Sequence, residues 1–328
     1  TRKNPISLVH FITNRCNARC SFCFIDFDNP ETFKNELTLD EIDKLTKSVG
    51  NNLININITG GEPFARKEIT QILELYCENT NIESIYITTN GSLPDRAVKT
   101  LSHITAKYKH IKINVQISID AIGEKHNKIR KIKNLFDNCI ETFHSLKKIE
   151  NVSPVVGITV SLENSSTVLD LYNALKNEHN IDAFKAIAVR DEGVYVTPSE
   201  DKNKILVAYK SLTNKIMQDS KNREISNYNY DKLKNRLHQH KDNLMYSYVI
   251  RNFLKPKYES PCYAGGLFGV INSNGEVYAC EILKDKKIGN LKDYGYNFMN
   301  LWNSKTNKEV VKFIKDTKCN CTYECALA

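Results

Sequence analysis

Up to about residue 195 the chain alternates two hydrophobic patterns. Short runs rich in Ile and Val read as strands: "ISLVHFIT" (6–13), "LININIT" (53–59), "IESIYITT" (82–89), "IKINVQISI" (111–119), "VVGITVSL" (155–162) and "AFKAIAV" (183–189). Between them apolar residues recur at helical spacing. The first such segment, "TLDEIDKLTKSVG", opens with Thr38 and carries Glu41 three residues later, a capping box, and it closes on Gly50. Strand–helix repetition with connections of this length predicts a parallel sheet. Six units fit either an open doubly wound sheet or a partial barrel, and periodicity does not choose between them. In both, reactive groups belong in the loops that follow the carboxyl ends of the strands.

The chemically suggestive segments lie in those loops. "TNRCNARCSFCF" (13–24) follows the first strand, "TGGEPF" (59–64) the second, "TTNGS" (88–92) the third and "SIDA" (118–121) the fourth. Four loops therefore converge on one mouth. Cys16, Cys20 and Cys23 can hold three irons of a cubane [4Fe-4S] cluster and leave the fourth iron open. A zinc site is the alternative, but structural zinc asks for four closed ligands and His10 lies before the loop.

Beyond residue 195 the pattern changes. Glycine disappears until Gly265, Lys, Asn, Tyr and Gln dominate, and segments such as "KNKILVAYKSLTNKIMQ" read as helices. We expect a partial-barrel domain over 1–195, a helical connector over 196–258 and a small C-terminal domain over 259–328. In the last of these, Cys262 and Cys280 bracket a hairpin whose turn is "NSNG", and "CNCTYECALA" adds Cys319, Cys321 and Cys325. Five cysteines this close to the end of a chain with reduced thiols point to metal rather than disulfides.

Composition narrows the class further. At 328 residues and 41% hydrophobic content the chain can fill one barrel with an appendage. There is no charged-then-apolar leader and no apolar run near membrane-spanning length, so a cytoplasmic location without membrane contact is expected. The net charge of +8 is spread along helices such as "EKHNKIRKIKN". No aromatic-basic motif of a nucleic-acid module accompanies it; a solvated Lys-rich surface is the plain reading, with an acidic electron donor or a phosphorylated substrate as the alternative.

The motif Cx3CxφC, with Phe22 as the aromatic position, followed by "GGEP" after the next strand, resembles the radical S-adenosylmethionine (radical SAM) superfamily over residues 6–195. The resemblance implies a partial (β/α)6 TIM-like barrel. It also implies that the open iron binds the amino and carboxylate groups of SAM. An electron from the cluster then cleaves the sulfonium bond, and a 5'-deoxyadenosyl radical abstracts a substrate hydrogen. A flavodoxin- or ferredoxin-like electron donor is implied as partner. Carried over by position, Gly60 and Gly61 let the backbone approach the methionine end, Glu62 accepts from its ammonium group and Pro63 fixes the turn. Asn90 and Ser118 hydrogen-bond SAM, and Arg130 pairs with its carboxylate.

The C-terminal spacing Cx12Gx4C resembles the SPASM iron-sulfur extension, or its shortened Twitch form. Two auxiliary clusters need about eight thiolates. The C-terminal region has five, and Cys77 and Cys139 fall on barrel helices as buried free thiols, so one auxiliary [4Fe-4S] cluster is expected. Cys262 and Cys280 are its first two ligands. Cys325 and then Cys321 rank ahead of Cys319, because a CxC pair spans two cubane corners poorly. The spacing CxCx3C departs from the CxxC common in Twitch domains.

Related SPASM oxidases place a carboxylate base directly after the second cysteine, which is Glu281 here; Arg190, Asp191 and Glu192, after the sixth strand, are the alternatives. The first functional reading is dehydrogenation or epimerisation of a small polar substrate such as a sugar or cyclitol. Maturation of a ribosomally made peptide ranks second, since fifteen residues before Cys16 are too few for a leader-binding domain. A non-catalytic electron carrier ranks third, having no use for "GGEP" and an open iron.

Overall fold

The computed structural model of the chain describes residues 4–191, 193–226 and 233–322. Six strands alternate with helices: β1 (Ser7–Thr13), α1 (Leu39–Val49), β2 (Asn55–Gly60), α2 (Ile69–Asn79), β3 (Ser84–Thr89), α3 (Pro94–Lys107), β4 (Lys112–Ser118), α4 (Gly123–Arg130), α5 (Leu135–Lys147), β5 (Val152–Val160), α6 (Val168–Asn177) and β6 (Phe184–Ala188). Strands β1 to β6 pair in sequence order, every pair parallel, in a partial TIM-like arrangement. The capping box expected at α1 is formed: Thr38 Oγ1 accepts from Glu41 N–H, and the Glu41 carboxylate accepts from Thr38 N–H.

Strand β5 starts three residues before its predicted run and takes in Pro154. Pro154 pairs with Val115 on β4, and β6 joins only from Val156 onward, so the proline's missing N–H falls beyond the reach of β6.

Alternation along the strands separates two environments. Ile56 and Ile58 of β2, Ile85 and Ile87 of β3, Val115 and Ile117 of β4, and Ile158 and Val160 of β5 are fully buried. They belong to the main hydrophobic core together with residues of the helices, such as Leu45, Leu73, Leu101 and Phe143. Truncating any one of these isoleucines to Ala costs about 2–5 kcal/mol. The opposite face carries Asn55, Asn57, Tyr86 and Gln116, which line a cavity. Closed (β/α)8 barrels fill that space with branched apolar layers. Here polar side chains leave it open.

Two long helices follow, α7 (Lys202–Lys221), which packs on β6, and α8 (Leu233–Asn252). Tyr246 of α8 accepts from Ala186 N–H at 3.3 Å, so the outer edge of β6 is partly covered. The hairpin predicted around "NSNG" is β7 (Phe268–Ile271) and β8 (Glu276–Tyr278), followed by β9 (Lys287–Asn290), α9 (Phe298–Trp302) and α10 (Lys305–Asp316). The C-terminal segment shares the barrel's own sheet. Strand β7 runs parallel to β1, Ser7 against Phe268 through His10 against Ile271, giving nine strands in the order β6-β5-β4-β3-β2-β1-β7-β8-β9. Among the described residues no helix is long and apolar enough to cross a membrane.

Candidate functional site

The cysteine loop is fixed by its neighbours. At the end of β1 the pairing with β2 slips between Phe11 and Thr13, a bulge that re-aims the chain into the loop. Gly61 N–H donates to Thr13 O (2.8 Å) and Glu62 N–H to Arg15 O (2.9 Å), while Arg19 N–H donates to Arg130 O at 3.0 Å. Glu36 accepts from Asn14 N–H (2.9 Å) and from the Thr13 hydroxyl (2.8 Å). The exits of β2 and α4 therefore hold the loop at several points.

Cys16, Cys20 and Cys23 all line one cavity of about 950 Å³. Burial pushes the Cys16 thiol up to about 11 and raises those of Cys20 and Cys23. Backbone N–H groups of Ala18 (3.3 Å) and Ile25 (3.5 Å) nevertheless point at the Cys16 and Cys23 sulfurs. Sheltered sulfurs that receive amide N–H bonds suit an iron-sulfur cluster, and loading one displaces their protons. Among the described residues no three His, Cys, Asp or Glu side chains converge on the position of a single metal ion. Three cysteines leave one corner of a cubane open, whereas a structural zinc asks for four closed ligands.

The "GGEP" segment joins the cysteine loop to the loop after β3. A Cβ on Gly60 would lie 2.1 Å from Thr13 O, and one on Gly61 2.2 Å from Arg15 O. Glycine is required there for the two loops to touch, whatever ligand lies beyond. Glu62 is fully buried, and its carboxylate accepts from Asn90 N–H (2.7 Å), the Thr89 hydroxyl (2.8 Å) and Phe64 N–H (3.0 Å). Burial raises its pKa, with those donors working in the opposite direction. Its side chain ties the second loop to the third. Pro63 opens a short 3-10 turn and is buried, in keeping with a turn-setting role.

Arg130 reaches the cavity, but its fork is engaged. Nε (2.8 Å) and Nη2 (2.6 Å) both meet Asp120 Oδ2, and the pair is nearly inaccessible to solvent. Burial disfavours the guanidinium charge, yet Asp120 outweighs it and holds the Arg130 pKa above its ordinary value. The Phe22 ring lies 5.8 Å from the Arg130 guanidinium carbon and also lines the cavity. Asn90 and Ser118 line it at the ends of β3 and β4. Asp120 and Asn17 were missed in the sequence, although both stand inside segments quoted for other residues. The lumen residues Asn55, Asn57, Tyr86 and Gln116 were missed as well; alternation of Ile with Asn, Tyr or Gln in "NINIT", "SIYIT" and "INVQIS" was their signal.

The second cysteine group opens onto the same cavity. Cys262, Cys319 and Cys321 line it, and Cys280 lies buried behind Glu281. Burial pushes the Cys280 thiol up to about 12, against N–H bonds from Leu283 and Ile282 and with the Cys262 and Cys321 sulfurs near enough to disfavour its charge further. Cys319 likewise feels Cys262. Cys319, ranked last in the sequence, thus stands in the group with Cys321, whereas Cys325, ranked first, lies outside the described residues. These four thiols fit a second cluster by the same donor chemistry. Cys77 and Cys139 are buried on α2 and α5.

Between the two groups, Arg190 Nη1 meets Glu281 Oε2 at 2.8 Å, and both residues line the cavity. The two candidates for proton transfer are therefore one ion pair. Asp191 is a correction: its carboxylate pairs with Lys202 (2.6 Å) and accepts from Thr197 N–H (2.7 Å), within the turn leading to α7 and off the cavity wall. Glu192 lies outside the described residues.

A partial parallel barrel with a cysteine tripod at its carboxyl mouth and a second cysteine group in a C-terminal sheet extension defines an iron-sulfur enzyme of the radical type. The chain belongs to the radical SAM superfamily, whose family model matches residues 11–175, and a second model, the iron-sulfur cluster-binding SPASM domain, matches residues 262–326. The first domain implies a SAM-binding [4Fe-4S] cluster and SAM itself, and the SPASM domain implies auxiliary iron-sulfur centres. Among curated proteins, the chain is 30% identical to Fe-coproporphyrin III synthase of Methanosarcina barkeri over 54% of this chain and 42% of that protein. It is 29% identical to the sporulation killing factor maturation protein SkfB of Bacillus subtilis over 53% of this chain and 40% of that protein. The chain thus spans less than half the length of these relatives. Among solved structures, anSMEcpe with bound AdoMet and Cp18Cys peptide superposes with TM-score 0.65 at 22% identity, covering 94% of this chain and 82% of that one. Streptococcus suis SuiB bound to precursor peptide SuiA gives 0.62 at 17% identity, covering 95% and 67%.

Proposed function

We propose that the chain is a radical SAM maturase that abstracts hydrogen from a residue of a peptide. The observation that carries this reading is the single cavity of about 950 Å³ that runs from the cysteine tripod, past the Arg190–Glu281 pair, to Cys262, Cys319 and Cys321. At the upper end of the range for ligand pockets, it has room for SAM beside the reacting side chain of a substrate. Support comes from the names of similar proteins: SkfB is a maturation protein, and the anSMEcpe and SuiB structures hold peptides. The polar lumen, with Asn55, Asn57 and Gln116, serves the polar side chain of a peptide as well as it serves the sugar or cyclitol of the first sequence reading.

When bound, the SAM-binding cluster and SAM supply one-electron reductive cleavage and hydrogen abstraction. The rest falls to this chain. Cys16, Cys20 and Cys23 hold the first cluster; Gly60 and Gly61 bring the second loop onto theirs; Phe22, Ser118 and Arg130 form the adjoining wall for SAM. Cys262, Cys280, Cys319 and Cys321 hold an auxiliary cluster. Glu281, fixed by Arg190, would accept the proton that leaves the substrate as it is oxidised, and the centre that Cys262, Cys280, Cys319 and Cys321 would hold would supply an electron acceptor beside it. On this reading residues 1–195 are the catalytic unit, 196–258 the connector and 259–328 the auxiliary-cluster unit, and a flavodoxin- or ferredoxin-like protein reduces the first cluster.

The test is anaerobic incubation of the reduced, reconstituted protein with SAM and either precursor peptides or a panel of sugars and cyclitols. Peptide-stimulated release of 5'-deoxyadenosine with a mass change in the peptide is expected. Stimulation by a sugar or cyclitol alone, with the peptides inert, overturns the maturase reading. No 5'-deoxyadenosine under any condition leaves only the electron-carrier reading.

A further inference from the structure

The Asn90–Ser92 turn after β3 has every backbone polar group engaged. On its amide side, Asn90 N–H donates to Glu62 Oε2 (2.7 Å), Gly91 N–H to Thr89 Oγ1 (3.1 Å) and Ser92 N–H to Asn90 Oδ1 (2.9 Å). On its carbonyl side all three donors come from α5. The Cys139 thiol donates to Asn90 O (3.2 Å), the Thr142 hydroxyl to Gly91 O (3.0 Å) and Asn138 Nδ2 to Ser92 O (3.5 Å). Gly91, at φ +74, lets the turn settle on the helix, since a Cβ there would lie 2.8 Å from Cys139 Sγ. His126 extends the network: its Nδ1 accepts from Asp120 N–H (3.2 Å), so its other nitrogen carries the proton and faces Cys139 Sγ at 3.8 Å.

That framework fixes one side chain. With Asn90 Oδ1 held by Ser92 N–H, its amide nitrogen turns toward the cysteine loop and donates to Asn17 Oδ1 (2.9 Å) and to Cys16 Sγ (3.8 Å). A flipped amide would set its nitrogen against Ser92 N–H and its oxygen against the sulfur, so the hydrogen-bond pattern fixes the orientation. Both amide protons are then committed within the protein.

We propose that Asn90 is a hydrogen-bond donor to the Cys16 sulfur that raises the reduction potential of the cluster held there, and that α5, through Cys139 and Thr142, is the clamp that positions it. This rests on the reading of Cys16 as a cluster ligand. A donor to a ligand sulfur withdraws electron density and favours the reduced cluster, which is a main lever a protein has on such potentials. The Ala18 N–H bond to the same sulfur belongs to the backbone. The Asn90 bond comes from a side chain and is open to substitution.

The experiment is an EPR-monitored redox titration of anaerobically reconstituted full-length protein, read on the signal that added SAM perturbs, with iron content and SAM affinity measured in parallel. Asn90→Ala is expected to move the midpoint to more negative potential with tripod iron as in the wild type. Cys139→Ser, which keeps a donor to Asn90 O, retains the wild-type midpoint, and Cys139→Ala moves part of the way down. Should Asn90→Ala fail to hold iron, Asn90→Asp carries the test, because it keeps the acceptor for Ser92 N–H and loses the donor to sulfur; its midpoint must also fall. An unchanged midpoint with weakened SAM affinity overturns the inference and makes Asn90 a SAM contact. A wild-type midpoint in Cys139→Ala overturns the clamp. Wild-type protein without iron at the tripod fails the underlying reading instead, and iron counting distinguishes the two.

Discussion

The two cysteine groups face one cavity but are assembled in opposite ways. Cys16, Cys20 and Cys23 fall within eight residues of one loop, pinned by backbone bonds to two neighbouring segments, the turn at Gly61 and Glu62 and Arg130 at the end of α4. Cys262, Cys280, Cys319 and Cys321 are spread over sixty residues and meet only because β7, β8 and the chain after α10 fold back on one another. The first group is held by the barrel before any metal arrives. The second closes a long stretch of chain, so metal binding there is also folding free energy. A local ligand set therefore depends on its metal for chemistry, and a distributed one depends on it for structure as well.

The sharpest way to break that comparison is to remove one ligand from each group. Cys20→Ala is expected to abolish 5'-deoxyadenosine formation while iron in the C-terminal group and the melting temperature stay close to wild type. Cys280→Ala is expected to leave SAM cleavage in place, to lose the C-terminal iron and to lower the melting temperature, read by calorimetry on anaerobic samples. Loss of both iron populations from either variant would mean that the groups are not independent.

The Arg190–Glu281 pair lies between them and sharpens the comparison from the middle. Glu281→Gln keeps the shape and the acceptor for Arg190 but removes the base. Substrate turnover is expected to fall roughly 10²–10⁴-fold, the usual worth of a positioned acid or base. SAM cleavage uncoupled from product and the iron content of both groups should persist. Normal turnover in this variant eliminates Glu281 as the proton acceptor.

The same contrast explains what was legible in the sequence. The six parallel strands and the α1 capping box follow from local periodicity and capping chemistry, which act over a few residues, and the tripod is equally local. Strand β7 joining β1 in parallel was not legible, since "FGVI" carries no sign of its partner. Nor was the role of Glu62, whose three donors arrive from the next loop and from its own turn, nor the capture of Arg130 by Asp120, ten residues away. Asp191 misled because its position after β6 suggested the mouth, whereas Lys202 and Thr197 draw it into the following turn. Position along a strand is written locally, but the partner of a polar side chain is chosen by the assembled fold.

Asp120→Asn probes the framework of the first group alone. It leaves Arg130 charged, almost wholly buried and without its counter-ion, a change that typically costs 3–5 kcal/mol, that is, about 3–5 kcal/mol of barrel stability by denaturant titration. The C-terminal iron content should be unaffected. An Asp120→Asn protein as stable as wild type would show that Arg130 finds another acceptor on the cavity wall.

The smallest effect is set by pH, and it too falls on one side of the comparison. His10 and His126 are both fully buried in the barrel, whereas residues 259–322 contain no histidine. Burial, with Arg66 adding to it, lowers the His10 pKa from 6.5 to about 3; burial with Arg130 lowers that of His126 to about 2. Both are neutral when folded, and in the unfolded chain both take up a proton as pH falls through 6.5. The unfolded state therefore binds more protons below 6.5, so this contribution to stability is fully present above 6.5 and is lost as pH falls from there toward 3. The slope approaches ~1.4 kcal/mol per pH unit for each histidine once pH is well below 6.5. Trp302, the single tryptophan, sits in α9 and reports on the C-terminal part, while far-ultraviolet circular dichroism is dominated by the barrel. Between pH 7 and 5 the denaturation midpoint seen by circular dichroism should fall and that seen by Trp302 fluorescence should hold. Equal shifts in both would show that the sheet shared through β1 and β7 makes the two regions unfold as one.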